Sequence, residues 1–302
     1  MNKLVGSFIE RKSLSIDMDL PPPLENCILL LEQANELVYK LVNENIEHIS
    51  AFPYWGPMFD MYEKNYEYCS GAVSLFLLAQ LTPSEALCRT SIEGSINLEF
   101  VSIGDSMGNQ IAYFKHYIAT ERNQNKNWKE SVKNSEEPNE NKEYHYQKIA
   151  AKDEALLQYE CALRESLKLS DVDYDNSNLK WPNIFERFRA LNKEVEYRTL
   201  YMALCSQAHN DAEDVLNKIM ARVTANVSGM EKAQEVEQYL YSLFYILSTV
   251  RYHIYSSAMF IGKFEIKVKG LLVLYDKVMV ELTDIAENLE DMVRQHITVN
   301  EL

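Results

Sequence analysis

Chain breakers are scarce in this sequence: nine glycines and eight prolines are all that punctuate 302 residues. Sheets need frequent turns, and turns draw on Gly and Pro for their special backbone angles. A chain this poor in both is committed to long helices. The apolar positions agree, recurring at helical spacing in Ile28, Leu31, Ala34, Val38, Leu41 and Val42, while strand-like alternation is nowhere long enough to matter. With 47% hydrophobic residues there is ample material for a core. The expected class is all-α, a multi-helix bundle of about eight helices with no sheet.

Helical periodicity places segments at about 24–49, 58–80, 82–103, 109–124, 144–169, 183–190, 194–224, 231–262 and 264–297. The sharpest start signal is Thr82-Pro83-Ser84-Glu85, where Thr82 can cap, Pro83 suits the first turn and Glu85 completes a capping box. Residues 1–22 read as an irregular arm closed by the run Pro21, Pro22 and Pro23. The Asn-rich stretch 123–143, NQNKNWKESVKNSEEPNENKE, has almost no aliphatics and reads as a polar loop or helix-end excursion, the best candidate for disorder. No heptad array is evident. The apolar stripes before and after that stretch are too wide to leave exposed, so residues 1–302 are expected to form a single helical domain.

A formal net charge of −15 argues against general adsorption to nucleic acid or anionic lipid, which needs neutralising Lys and Arg, though a local basic pocket remains compatible. Five dispersed cysteines without CxxC spacing read as buried reduced thiols of a cytoplasmic protein. The most apolar stretch, 239–261, is interrupted by Arg251 and His253 and carries Ser and Thr, so it reads as a core helix and not a membrane span. Glu44 and His48 resemble half of a metal motif that does not recur. Neither a phosphate-binding loop, a nucleotide-binding glycine motif nor a nucleophile elbow is present, and no cofactor or metal is implied.

Two helices carry polar residues that could do chemistry. On the wheel of the third, Cys88, Ile92, Ile96 and Phe100 form one apolar arc and Ala86, Leu87, Leu98 and Val101 another. Arg89, Glu93 and Asn97 line up between them, and Ser91, Ser95 and Ser102 take the side expected to be wet. Four-residue spacing lets Arg89 and Glu93 pair across one turn. Such charges are costly to bury unless paired or working at a site, so a salt bridge pinning neighbouring helices and a reactive centre are both open. In the helix at 194–224 the core stripe is Tyr197, Tyr201, Leu204, Ala208, Ala212, Val215 and Ile219, with Arg198, Met202, Cys205 and His209 along its edge. A stripe-edge imidazole is usually structural but can be tuned as an acid or base. Arg198 lies roughly 16 Å along the axis from His209. A cationic partner for His209 must therefore come from another helix, and Arg89 is the candidate.

The ordered pieces Ala86-Leu87-Cys88-Arg89-Thr90-Ser91-Ile92-Glu93, Lys180-Trp181-Pro182 and Tyr201…Ser206-Gln207-Ala208-His209 resemble the bacterial helical family called domain of unknown function 5677, over roughly 60–220. The resemblance implies an all-α fold and a polar cluster of Arg89, Glu93, Tyr201, Ser206 and His209 where the motif helices meet, with Trp181 in packing. HEPN-type ribonucleases of phage-defence and toxin systems look related, but they use a compact Arg-x4–6-His motif that this chain lacks. Two functions then stand side by side. One is a toxin-like or defence effector acting on RNA or nucleotides. The other is a non-catalytic helical module binding a partner protein or small ligand. A homodimer fits either.

Overall fold

The computed structural model describes residues 2–12, 14, 20, 22–168, 174, 180–208, 216, 219 and 230–294. Among these every regular element is helical, eleven helices where about eight were expected. They are α1 (Lys3–Arg11), α2 (Pro22–Glu44), α3 (Ile46–Ile49), α4 (Trp55–Leu77), α5 (Leu81–Ser102), α6 (Ser106–Asn134), α7 (Asn139–Lys168) and α8 (Ile184–Ala190). Next, α9 joins Glu194–Glu196, a π-helical turn Tyr197–Tyr201 and Met202–Ala208; α10 is Met230–Gly262 and α11 is Lys269–Arg294. The excess comes from short pieces such as α1 and α3 that periodicity over a long window does not resolve. The chain divides into two compact units, Met1–Ile103 with Ile184–Leu302, and Gly104–Asn183.

In the first unit α5 and α10 are the inner helices: α5 packs on α4, α10 and α9, and α10 also packs on α11, α2 and α4. Inner position explains why the wheel of α5 misleads. Ser91, Ser95 and Ser102, expected in water, are buried, as are Ser84, Glu85 and Glu99. Each of the three hydroxyls finds a partner, on α4 for Ser91 and Ser95 and within α5 for Ser102. Ser91 donates to Asn65 Oδ1 (3.0 Å), and the Asn65 amide donates to Ser95 Oγ (2.8 Å). Ser102 donates back to the Leu98 carbonyl (2.7 Å). A serine face looks polar in sequence, but satisfied hydroxyls can be buried at little cost. The start of α5 also differs. Gln80 is its N-cap and makes no side-chain cap bond. Glu85 is drawn inward to accept from Ser242 of α10, so no capping box forms.

Asn65 also meets Gly94 and His253. A Cβ on Gly94 would lie 2.7 Å from Asn65 Oδ1, inside any tolerable contact. The Asn65 amide points at His253 Nδ1 (3.3 Å), which places the ring hydrogen on Nε2. The His253 ring stacks on Tyr62 (5.3 Å between centroids), whose hydroxyl donates to Asn35 (2.7 Å). Burial pulls the His253 imidazole down to about 3, so it is neutral at pH 7. Thus the histidine that interrupts the apolar stretch 239–261 is itself core. No helix among the described residues is long and apolar enough to cross a membrane.

The N-terminal arm is partly ordered as α1. Asn2 caps it by accepting from the Leu4 amide (2.9 Å), and Val5, Phe8 and Ile9 are buried at helical spacing. Arg11 then reaches the buried Glu32 (2.5 Å), which also accepts from the Tyr66 hydroxyl (2.6 Å). Of the cysteines, Cys27, Cys69 and Cys88 are buried as expected, but Cys161 is exposed and Cys205 half-buried.

The second unit overturns the loop expected at 123–143. Helix α6 runs through to Asn134 and α7 starts at Asn139, so only four residues make the turn between two long helices. Their seam recurs every seven residues. Ile111, Ile118, Asn125 and Val132 are buried on α6, and Ile149 and Leu156 on α7, with Leu163 half-buried. This is a two-helix coiled-coil pattern with one apolar residue per heptad, too sparse to stand out among Asn, Lys and Glu. The Asn125 amide donates across the seam to Asp153 (2.6 Å). Ion pairs flank it, Lys152 with Glu121 (2.5 Å) and Arg122 with Glu160 (2.6 Å). Near the open end Tyr174 lies between Lys115 (4.6 Å) and Arg164 (4.4 Å), each over its ring. Trp181 packs edge-on against Tyr113 (4.9 Å), the packing role anticipated for it.

Two outcomes follow from the Asn65 contacts. Gly94→Ala gains helix propensity worth about 1 kcal/mol, but the clash with buried Asn65 costs more, so a net loss of about 1–2 kcal/mol should appear in urea denaturation. For His253, the folded-state pKa of about 3 lies below the ordinary 6.5. The unfolded chain therefore takes up a proton that the folded chain refuses, and stability falls as pH drops below 6.5. The slope attributable to this one group approaches about 1.4 kcal/mol per pH unit. Denaturant midpoints measured at neutral pH and near pH 5 should show a flatter dependence in His253→Gln than in the natural chain.

Candidate functional site

Helix α9 lies against α5 along a polar seam. Lys193, just before α9, engages Glu99; Tyr201 engages Glu93; Cys205 engages Arg89. Numbers rise along one partner as they fall along the other, so the helices are antiparallel. The three contacts differ in burial, and that decides what each can do.

Lys193 and Glu99 form the structural end. Glu99 is 1% exposed and takes both of its hydrogen bonds from Lys193 Nζ, at 2.8 and 2.5 Å. Burial lifts the Glu99 carboxyl above the usual carboxylate range, against the pull of Lys193. The ammonium also lies over the rings of Tyr252 (4.9 Å) and Tyr255 (4.5 Å). Sequence reasoning missed this pair. A signal existed, because Glu99 falls seven residues after Ile92 and so on its apolar arc, where an unpaired carboxylate is untenable.

Toward the other end the seam opens. The Tyr201 hydroxyl donates to Glu93 Oε2 (2.8 Å), and Arg187 of α8 comes within 3.7 Å of Glu93 Oε1. The Arg187 side chain is 5% exposed whereas that of Glu93 is 37% exposed, so the carboxylate faces water on one side and a buried guanidinium on the other. Burial, then the Glu93 charge, raises the Tyr201 pKa, which keeps its hydroxyl a donor. Arg89 donates through Nε to Cys205 Sγ (3.2 Å) and through a terminal nitrogen to the Tyr201 oxygen (3.5 Å), and it sits 5.6 Å over the Tyr201 ring. Arg89 and Glu93 do not pair with each other, although their spacing allows it. Tyr201 stands between them and Arg187 takes the carboxylate. Among the described residues Arg89 makes no ion pair.

The π-helical turn Tyr197–Tyr201 helps set this arrangement. One extra residue in the turn shifts the faces of α9 off a regular wheel. Leu200 and Tyr201 are buried and Tyr197 only half so, with the Tyr197 and Tyr201 rings stacked at 5.5 Å. The expected stripe 197–201–204 is therefore only partly realised, and Ile219, placed on it, is 45% exposed. No sequence pattern here announces a π turn.

Of the five residues nominated for the centre, Arg89, Glu93 and Tyr201 come together. Ser206 belongs to the last turn of α9, but its side chain lies outside the described residues, and so does His209. Arg187 and Cys205 are the members that sequence reasoning did not nominate. No group of His, Cys, Asp and Glu able to hold a metal ion occurs among the described residues.

These features define a class: an all-helical protein with a half-open Arg–Tyr–Glu junction where a π-distorted helix crosses an inner one. The chain matches the family described as "Family of unknown function (DUF5677)" over residues 57–223, more than half its length, and belongs to it. No curated protein and no solved structure matches it.

The two ends of the seam should respond differently to mutation. Lys193→Met strands a buried carboxylate and should cost about 3 kcal/mol or more, largely recovered in the Lys193→Met/Glu99→Gln double variant. Tyr201→Phe removes one hydrogen bond to a half-exposed carboxylate and should cost about 1 kcal/mol. Equilibrium unfolding in urea distinguishes these outcomes.

Proposed function

We propose that this protein is an effector enzyme of the cytoplasm, toxin-like or defensive, acting on RNA or a nucleotide at the Arg89–Glu93–Tyr201 junction. The observation that supports this reading is the half-buried Arg89 guanidinium, which has a thiol and a phenol for neighbours and makes no ion pair among the described residues. A desolvated, unneutralised cation attracts an anion, and a phosphoryl group is the anion whose chemistry it accelerates. Arg89 would stabilise charge developing on the phosphoryl oxygens. Tyr201, held as a donor, would bond the same oxygens or the leaving group, and Glu93 would orient it. His209 is assigned the proton transfer, since an imidazole titrates near neutrality, and Ser206 a supporting hydroxyl.

A second reading has its own support. Each polar group of the junction already has a neighbour inside the protein, as expected of a helix joint in a non-catalytic module that binds a partner protein, a small ligand or a second copy.

The two readings part in one experiment. Arg89→Ala and His209→Ala should each lower turnover of RNA or nucleotide by about a hundredfold or more and abolish any toxicity in expressing cells. Melting temperatures should stay close to that of the natural chain. Natural protein without turnover on either substrate, or variants that simply unfold, would leave the junction a scaffold.

A further inference from the structure

Beside the junction, α8 and α9 carry a run of arginines and aromatic rings that the proposed chemistry does not use. Phe185 is half-buried, with Arg198 lying 4.7 Å and Arg189 5.7 Å from its ring centre. Phe185 in turn packs against Tyr197 (5.0 Å), and Arg198 also lies 5.5 Å from the Tyr197 ring. Tyr197 stacks on Tyr201 (5.5 Å, 22° between planes), over which Arg89 sits. The strip is continuous from exposed arginines to the junction. Arg189 and Arg198 are both exposed, and among the described residues neither makes an ion pair. Nearby carboxylates on these helices are Glu186 and Glu194, both exposed, and Glu196, which is engaged by Arg251 (3.1 Å).

We infer that this strip, Phe185, Arg189, Tyr197 and Arg198, is a docking surface for the unpaired bases of a single-stranded polynucleotide, leading it to Arg89. Three features select that ligand. A guanidinium held against an aromatic ring offers its outer face for a base to stack on and its edge to a phosphate. Two such guanidiniums, neither in an ion pair among the described residues, leave cationic edges for phosphate on a chain whose net charge is −15. A duplex has no unstacked base to offer the strip. The inference rests on the proposed action on RNA for its direction, since it names which form of RNA would arrive.

The test is fluorescence anisotropy of the full chain with a labelled single-stranded RNA dodecamer in about 50 mM salt. The natural protein should bind it, with log affinity falling by about 0.7 per log unit of salt for each phosphate contacted. Arg198→Gln and the Arg189→Gln/Arg198→Gln pair should weaken binding by about tenfold or more. Phe185→Leu should do the same, with its melting curve recorded as a control, and the exposed arginine variants keep the test decisive if Phe185→Leu misfolds. Absence of binding by the natural chain overturns the inference, as does equal affinity for duplex RNA or equal competition by oligoglutamate, which would mark a plain anion surface. Binding lost in the strip variants, with no turnover by the natural chain, sustains this inference and removes the proposed reaction. Turnover of single-stranded RNA unaffected by the strip variants does the reverse.

Discussion

Asn65 sets how closely α4 can approach the inner helix α5, and much of the first unit follows from that distance. Its amide and carbonyl are shared among Ser95, Ser91 and His253, so one side chain ties α4, α5 and α10 together. The contact works only because position 94 has no side chain. With α4 drawn onto the serine face of α5, the opposite flank, with Arg89 and Glu93, turns toward α8 and α9. A buried polar cluster whose members satisfy one another specifies one arrangement of helices where an all-aliphatic interface would accept several. The Nε2 of His253 is buried and has no hydrogen-bond partner among the described residues.

The seam between α5 and α9 grades from fixed to available. At one end Lys193 and Glu99 neutralise each other in the interior, as permanent anchors do. At the other, Arg89 makes no ion pair among the described residues, at the half-open edge of the same interface. The anchored end allows the open end to hold its geometry, because a helix secured at one point and distorted by a π turn at the next has little freedom in where Tyr201 and Cys205 land.

Much of this was legible in the sequence. The scarcity of Gly and Pro fixed the class, and the ordered motifs led to the family. Arg89, Glu93 and Tyr201 were brought together as their motifs implied. What failed has identifiable causes. Wheel reasoning assigns faces by polarity, so it sent Ser91 and Ser95 to water although three-dimensional partners make them core. It assumes a regular helix, so it could not anticipate the turn at Tyr197–Tyr201. Local spacing suggested an Arg89–Glu93 pair, but two residues distant in sequence, Tyr201 and Arg187, compete for the carboxylate. Composition misread 123–143 because a coiled-coil seam needs few aliphatics when its flanks carry ion pairs.

That seam has a further consequence for how the α6–α7 hairpin can vary. Its buried residues on α6 repeat with an interval of seven, from Ile111 to Val132, and the returning helix keeps the same beat from Ile149 to Leu156. Whole heptads can be added to or deleted from both arms together, lengthening or shortening the hairpin while the seam keeps its register. An insertion of any other size rotates the remainder of an arm away from its mate. The hairpin is thus an extendable ruler whose graduations are set by its own periodicity.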